Sequence, residues 1–240
     1  MGFPFAKKKR LHTASDRNLV VKNPDPLLSE ALKTARINIM YTLSDEGEGA
    51  KTLLVTSAFS AEGKTTTAIN LATTLAETEA KVLLIDADLR RPRVHEYIGV
   101  KNTDGFSNHL GGFADIEKVI NHSDEFGFDF IVAGDIPPNP AELLSSNKFA
   151  DFVKSIKENY DYILFDTPPV NAVADALAIV PVVKNVVFVC RCGVSVTKEV
   201  QKAISALEFT KAKILGFITI DAHEKKADYY QMYSSYYNYK

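Results

Sequence analysis

The stretch TSAFSAEGKTT, residues 56–66, decides the fold class of this chain. It follows a short apolar run at 52–57 and opens a segment whose small and apolar residues recur at helical spacing between 68 and 75. The pattern nearly matches the phosphate-binding loop G-x-x-x-x-G-K-[ST], with Ala58 in place of the first glycine. Alanine fits that position if its φ stays negative. A glycine-lysine-threonine triplet between a strand and an amphipathic helix predicts nucleotide binding.

The loop residues have distinct predicted tasks. Successive backbone N–H groups would surround a β-phosphate, and the N-terminus of the following helix adds positive potential. Gly63 lets the backbone approach closely, Lys64 would reach the β- and γ-phosphate oxygens, and the Thr65 hydroxyl would bind Mg²⁺. The sequence thus predicts ATP and Mg²⁺ as cofactors. The predicted nucleotide-binding residues of the loop are Ser60, Ala61, Glu62, Gly63, Lys64, Thr65 and Thr66.

Aspartates end two further apolar runs. Asp86 and Asp88 lie in VLLIDADLRRP, where a continuing strand would point both carboxylates to one side, and Asp166 ends YILFD. Ligand sites of open α/β sheets lie at this carboxyl edge. We assign Asp86 to the Mg²⁺ shell and Asp88 to the base for a hydroxyl acceptor, with the order of these two left open. Asp166 would also hold the Mg²⁺ shell, through water. The alternative is that Asp88 caps the turn or pairs with Arg90 or Arg91.

The remaining chain alternates strand-like and helix-like segments. Strands that are apolar on both faces and alternate with helices form parallel sheets covered on both sides. We therefore predict an α/β fold: a P-loop NTPase-like parallel β-sheet flanked by helices on both faces, in a single domain. Beyond the first strand, the predicted strands are 81–86, 128–134, 160–166, 185–190 and 214–220, and further helices are predicted within 141–160 and near 172–180 and 195–210.

Three regions are predicted along the chain. Residues 1–23 form a flexible basic arm, residues 24–222 form the folded domain, and residues 223–240 form a flexible tail. The first helix spans 24–44 and is capped by Ser29. A net charge of −2 argues against a nucleic-acid partner, and no apolar run is long enough to cross a bilayer. The tail holds six of the ten tyrosines: Tyr229, Tyr230, Tyr233, Tyr236, Tyr237 and Tyr239.

The segments SAFSAEGKTT, LLIDADLRRP and ILFDTPP together resemble the Walker A, A′ and B motifs of the bacterial tyrosine kinases, which are P-loop proteins unrelated in fold to eukaryotic protein kinases. The A′ form, apolar residues followed by D-x-D-x-R, is the most specific of the three. The likeness runs from about residue 24 to 220 and then into the tail, and it is greatest for free-standing cytoplasmic kinases of capsule and exopolysaccharide export. It implies a protein-tyrosine kinase whose catalytic residues are Lys64, Asp86, Asp88 and Asp166, supported by Arg90.

The resemblance also implies partners. The tail tyrosines would be phosphorylated in trans within a homo-oligomeric ring, alongside tyrosines of other proteins, and a cognate tyrosine phosphatase would act on the products. A separate transmembrane adaptor would complete the nucleotide site and hold the cytoplasmic kinase at the inner face of the cell membrane.

Three positions carry further family features. Glu30, Lys33 and Arg36 share a helix face and resemble the oligomerisation motif E-x-x-R-x-x-R, although Lys33 lacks the planar fork of arginine. Asp221 follows the last strand, where the family often has an asparagine near the adenine, so it is a candidate for base contact. The loop carries Ala61 where a glycine is often found.

Two other functions fit a phosphate loop. One is a partner-stimulated switch ATPase of the partitioning or positioning type, whose loop K-G-G-x-G-K-[ST] carries an extra lysine that reaches across a dimer. Phe59 stands in place of that lysine here. The other is a catalytically weak scaffold that regulates polysaccharide export through assembly. The D-x-D-x-R motif, Phe59 and the tyrosine-rich tail favour the kinase.

Overall fold

A seven-stranded, mostly parallel sheet organises residues 19–222, the part of the chain that the computed structural model describes. The strands are β1 Lys51–Ser57, β2 Val82–Asp86, β3 Asn121–Ser123, β4 Phe128–Ile131, β5 Tyr162–Asp166, β6 Asn185–Arg191 and β7 Lys213–Ile220. Their order across the sheet is β3-β4-β2-β5-β1-β6-β7. Within these residues β3 alone runs antiparallel to its neighbour, so the predicted parallel sheet is confirmed with one antiparallel edge.

Helices cover both faces of this sheet. They are α1 Pro26–Thr42, α2 Lys64–Ala76, α3 Val94–Ile98, α4 Phe106–Gly111, α5 Ile116–Val119, α6 Pro140–Leu144, α7 Asn147–Ile156, α8 Asp175–Ile179 and α9 Thr197–Phe209. The first three pack on one apolar cluster, and α4 to α9 pack on the other. Along β1, Leu54 belongs to one cluster while Leu53 and Val55 belong to the other. Because both faces of the central strands β1, β2, β5 and β6 are buried, these strands are largely continuous apolar runs in the sequence.

The first helix begins earlier than a serine cap at residue 29 would allow. Asp25 is the cap, since its carboxylate accepts the backbone N–H groups of Leu27 and Leu28 at 2.9 and 3.4 Å. Pro26 takes the first helical position, where a missing N–H is tolerated. Ser29 lies inside the helix and donates its hydroxyl to the Asp25 carbonyl, so its predicted capping role is wrong.

Short elements account for the other differences. The strand predicted at 128–134 ends at Ile131, because the carbonyls of Val132 and Ala133 leave the ladder and accept N–H groups at the start of α4. The segment 141–160 forms two helices, α6 and α7. β3 was not predicted, and two of its three residues are polar and exposed at the sheet edge.

The predicted boundary of the flexible arm, residue 23, lies too far along the chain. Leu19 is fully buried, and the Val20 N–H donates to the Asn70 side chain at 3.0 Å. Residues 19–22 are therefore part of the folded unit, because their apolar side chains pack against α2. Residues 1–18 and 223–240, including the six tail tyrosines, lie outside the described residues. Between residues 19 and 222, no helix combines the length and apolar character that a membrane span requires.

Candidate active site

The phosphate loop joins β1 to α2 at the carboxyl edge of the sheet. Gly63 has a φ of 87°, a left-handed conformation that residues with a Cβ rarely adopt. A Cβ at this position would lie 2.3 Å from Cδ1 of Ile220, so the backbone here passes close to the end of β7. Lys64 begins α2 and its side chain is buried, while Thr65 is partly buried on the first turn. The 13-residue helix α2 starts directly after this glycine, and the free N–H groups at such a helix N-terminus can bind a phosphate group.

Two alanines replace loop glycines with different results. Ala58 is fully buried and keeps a negative φ, as the sequence required. Ala61 is exposed and has a φ of 63°, in the left-handed region. This is the position where the family resemblance expects a glycine. The loop has therefore retained the backbone conformation of a glycine while carrying a Cβ.

The Glu62 side chain turns inward and holds the loop together. It is fully buried, accepts the Phe59 N–H at 2.7 Å and accepts the Ser195 hydroxyl. Ser195 Oγ in turn accepts the Arg191 N–H at 2.8 Å. Any contact between Glu62 and a phosphate would thus come from its backbone N–H. Ser195, 133 residues away along the chain, gave no signal in the sequence.

Asp221 reaches the loop through an arginine. Its carboxylate accepts Nε–H of Arg191 at 2.7 Å, and Nη1 of the same guanidinium donates to the Ala61 carbonyl at 3.0 Å. The residue after β7 is thereby tied to the phosphate loop. Its predicted contact with adenine stays a prediction. The Thr66 hydroxyl lies 3.2 Å from the Tyr97 phenol, while Ser60 is exposed at the tip of the loop.

Asp86 and Asp166 meet at the ends of adjacent strands. They are paired in register on β2 and β5, and both are buried. Burial raises the pKa of Asp166 to about 7, although the nearby Thr65 hydroxyl and Lys64 ammonium lower it. Among the described residues, neither Asp166 oxygen has a hydrogen-bond partner of normal geometry. A buried carboxylate with two unpaired oxygens beside Thr65 fits a hard divalent cation.

Asp86 organises the loop that follows β2. It accepts the backbone N–H groups of Arg93 and Val94 at 3.0 Å each, and that of Asp88 at 3.2 Å. Burial, followed by the charge of Asp166, raises the pKa of Asp86 well above its usual range. A cation at this site would relieve the repulsion between the two carboxylates. Its assignment to the Mg²⁺ shell stays a prediction.

Asp88 lies on a turn and not in a continuing strand, because β2 ends at Asp86. Its Oδ1 accepts the backbone N–H groups of Arg90 and Arg91 at 3.3 and 3.0 Å, so the capping alternative describes part of its role. Asp88 still belongs to the acidic cluster, since its charge contributes to raising the pKa values of Asp86 and Asp166. The structure thus brings together all three predicted acidic residues beside the loop.

Comparisons with known proteins agree with this geometry. A family model described as an AAA domain matches residues 50–215. The tyrosine-protein kinase YwqD of Bacillus subtilis is 40% identical over 215 residues, which cover 89% of this chain and 90% of that protein. The chain belongs to the bacterial tyrosine kinase family. Tyrosine-protein kinase etk of Escherichia coli K12 is 35% identical over 89% of the chain, but the chain spans only 29% of that longer protein.

Solved structures support the same assignment. The kinase domain of the Escherichia coli tyrosine kinase ETK superposes with a TM-score of 0.83 at 32% identity, covering 91% of this chain and 84% of that one. The chimerical protein CapA2B2 gives 0.79 at 32% identity, covering 87% and 90%. The septum site-determining protein MinD of Pyrococcus horikoshii, at 24% identity and a TM-score of 0.62, shares the fold alone. The predicted fold class and enzyme class, a protein-tyrosine kinase, are confirmed.

The metal site of this bacterial tyrosine kinase would be completed from outside the protein. Within residues 19–222, no group of three or more His, Cys, Asp or Glu side chains is arranged to hold a metal ion. The predicted ligands are two carboxylates, Asp86 and Asp166, and the hydroxyl of Thr65. Because Mg²⁺ keeps several waters and binds phosphate oxygens, such a sparse set is typical of Mg²⁺·ATP sites.

The predicted oligomerisation residues are divided between two environments. Glu30 and Lys33 form an exposed ion pair at 2.8 Å. Arg36 faces α2 instead, where Nη1 donates to the Thr74 carbonyl at 2.6 Å and lies 3.5 Å from Glu77. Its side chain is only 15% exposed, so within one chain it fixes α1 to α2. A role for the three residues between copies of this kinase stays a prediction.

Replacing Ala61 with glycine is expected to stabilise the protein. A left-handed φ costs a residue with a Cβ roughly 1–2 kcal/mol, and the greater chain entropy of glycine offsets about half of that. We expect a gain of about 0.5 kcal/mol, or ~1–2 °C in Tm, measured by calorimetry without nucleotide. Ala58→Gly is the matched control, because its negative φ gains nothing and its Tm should fall. A lower Tm for Ala61→Gly would contradict the strain assigned to this position.

Proposed function

We propose that this chain transfers the γ-phosphoryl group of ATP to tyrosine hydroxyls, in its own 229–239 cluster and in other proteins. One observation carries the proposal: Asp86, Asp88 and Asp166 lie together beside a phosphate loop that presents Lys64. A simple ATPase needs one carboxylate to order Mg²⁺. A phenol with a pKa of about 10 gains from a further carboxylate that takes its proton as the new bond forms.

The residues have separate tasks in this reaction. Bound Mg²⁺ would neutralise charge on the phosphates, held by Thr65, Asp166 and Asp86 with water. Lys64 stabilises the negative charge of the transferring group. As the phenol oxygen bonds to the γ-phosphorus and the bond to the β,γ-bridging oxygen breaks, Asp88 takes the phenolic proton. ADP leaves with the bridging oxygen. The surrounding loop positions the substrates, which is the main contribution of a protein to phosphoryl transfer.

The tail is proposed as the substrate of a neighbouring copy. β7 ends at the same sheet edge as the site, and 18 residues follow Ala222. Fully extended, such a segment spans roughly 60 Å, enough to reach an adjacent chain. Each added phosphate brings between about one and two negative charges, so several would drive neighbouring copies apart. A ring of copies, a transmembrane adaptor, a tyrosine phosphatase, recruitment to the membrane and control of capsule or exopolysaccharide export belong to the same proposal.

Replacing all six tail tyrosines with phenylalanine tests the acceptor. With labelled ATP and Mg²⁺, we expect most self-labelling to disappear, because the main acceptors are gone, while transfer to a glutamate-tyrosine copolymer continues. Tyr41→Phe is the control, since Tyr41 is an exposed phenol outside the tail. Phosphotyrosine is measured by mass spectrometry. Loss of transfer to the copolymer as well would mean that the tail supports the fold or the site and is not primarily a substrate.

A switch ATPase is the second candidate function, because MinD is among the solved structures that share the fold of this chain. Phe59 occupies the place of the lysine that such ATPases extend across a dimer, and it is 41% exposed. Release of phosphate that rises with an added partner, in the absence of any phosphotyrosine, would favour this candidate. The shared α/β fold alone does not distinguish the kinase from the switch ATPase.

A further inference from the structure

We infer that Asp175 is a positioning residue for phosphoryl transfer: it fixes Arg90 and, through Arg90, the turn that carries Asp88. The inference rests on the proposed function, because it assigns Asp88 to the acceptor. The sequence motifs do not include Asp175, and they predict only a supporting role for Arg90.

The contact between the two side chains is bidentate. Nε of Arg90 donates to Oδ2 of Asp175 at 2.8 Å, and Nη2 donates to Oδ1 at 3.0 Å. The Asp175 side chain is fully buried, whereas that of Arg90 is 42% exposed. Two parallel charge-assisted bonds fix the plane of a guanidinium as well as its position. The contact therefore restricts the orientation of Arg90 more than a single surface ion pair would.

The pair joins two loops that carry acidic residues. Arg90 lies between β2 and α3, and Asp175 begins α8 in the segment after β5. Because β2 and β5 are adjacent and end in Asp86 and Asp166, the ion pair connects the two segments that leave the acidic cluster. The participants are 85 residues apart, so the contact exists only in the folded chain.

The consequence falls on Asp88. One of the two N–H groups that its Oδ1 accepts belongs to Arg90, the other to Arg91. Leu89, between Asp88 and Arg90, is fully buried in the apolar cluster that also contains Ala176 of α8. With Arg90 fixed on one side and Leu89 on the other, the turn has one orientation. Oδ1 of Asp88 then accepts the N–H groups of the turn, and Oδ2 is left to accept the proton of the incoming phenol.

A purely stabilising pair would behave differently. Loss of stability alone would lower Tm, nucleotide affinity and turnover together. A positioning pair acts on the acceptor side, so turnover falls while binding of ATP, which depends on the loop before α2, is kept. A substitution that displaces a reacting group by about 1 Å can lower the rate by about a hundredfold.

Three variants of the full chain test this: Asp175→Asn, Arg90→Lys, and the double variant that combines these two substitutions. Glu96→Gln is the matched control, because it breaks the exposed ion pair between Arg93 and Glu96 in the neighbouring segment. We would measure kcat for copolymer phosphorylation, KM and Kd for ATP, and Tm. We expect Asp175→Asn to lower kcat by about ten- to a hundredfold, with KM and Kd changed by less than about threefold.

Arg90→Lys should give an intermediate kcat, because it keeps the charge and loses the fork. The double variant should be no slower than the slower single variant, since both changes break one contact. Additive losses, an unchanged kcat, or equal falls in kcat and ATP affinity would overturn the inference. Arg90→Lys keeps the test open if Asp175→Asn does not fold. A wild-type chain that labels no tyrosine would overturn the proposed function together with this inference.

Discussion

Replacing Lys64 with methionine is expected to abolish phosphoryl transfer, with a fall of at least about a hundredfold in phosphotyrosine formation. Lys64 is buried at the start of α2 and supplies positive charge next to Asp166. Methionine has a similar length but leaves the transferring group without that charge. The fold should persist, because the raised pKa of Asp166 rises further without the ammonium and lets the carboxyl take a proton. Labelling with ATP, followed by a thermal unfolding scan, checks both statements.

Lys202→Met is the control for this change, since Lys202 is exposed on α9. It should leave both labelling and Tm unchanged. If Lys64→Met kept substantial labelling, the phosphate loop would not position ATP for the reaction. If its Tm collapsed, Lys64 would contribute mainly to the core and the loss of labelling would carry no mechanistic meaning.

Replacing Asp88 with asparagine separates its two roles. The asparagine oxygen can still accept the N–H groups of Arg90 and Arg91, so the turn should be maintained. The side chain no longer takes a proton, so we expect transfer to tyrosine to fall by about 10²–10⁴-fold. Binding of Mg²⁺·ATP should continue, because the phosphate loop and Asp166 are untouched. Phosphotyrosine formation and the affinity for a fluorescent ATP analogue are the two measurements.

Asp151→Asn, an exposed change on α7, serves as the control. Asp88→Ala adds a second comparison, because it removes both the proton acceptor and the cap of the turn. An active Asp88→Asn variant beside an inactive Asp88→Ala variant would show that Asp88 acts only as a cap. The proposed acid–base role would then be wrong, although nucleotide binding would stand.

Features that depend on local sequence were predictable. Apolar runs marked β1, β2, β5 and β6, because strands buried on both faces leave no room for alternation. β7 is a partly exposed edge strand, and its isoleucine, leucine and phenylalanine residues indicated it. The loop before α2 was recognisable because glycine, lysine and threonine are needed at a fixed spacing there. β3 was missed for the opposite reason: it is a polar edge strand of three residues, two of them exposed. The cap of α1 was assigned to Ser29 because capping depends on where the helix begins, which Pro26 decides.

Features that depend on contacts distant in sequence were not predictable. Ser195 and Arg191 approach the loop residues Glu62 and Ala61 across more than a hundred residues of chain. Sequence spacing contains no information about such meetings, which arise because β6 lies beside β1 in the sheet. The three aspartates were an exception. The rule that ligand sites lie at the carboxyl edge of the strands predicted their convergence without any contact being known.

The end of the last strand sets a practical limit for engineering this kinase. Ile220 lies against Gly63, and Asp221 shares the Arg191 guanidinium with Ala61. A truncation after residue 220 would therefore preserve every strand described here and yet remove Asp221, the carboxylate that holds Arg191 against the phosphate loop. Reporters or tags fused to a shortened protein should be separated from Ala222 by a spacer, so that they do not displace Asp221 and Arg191 from the phosphate loop.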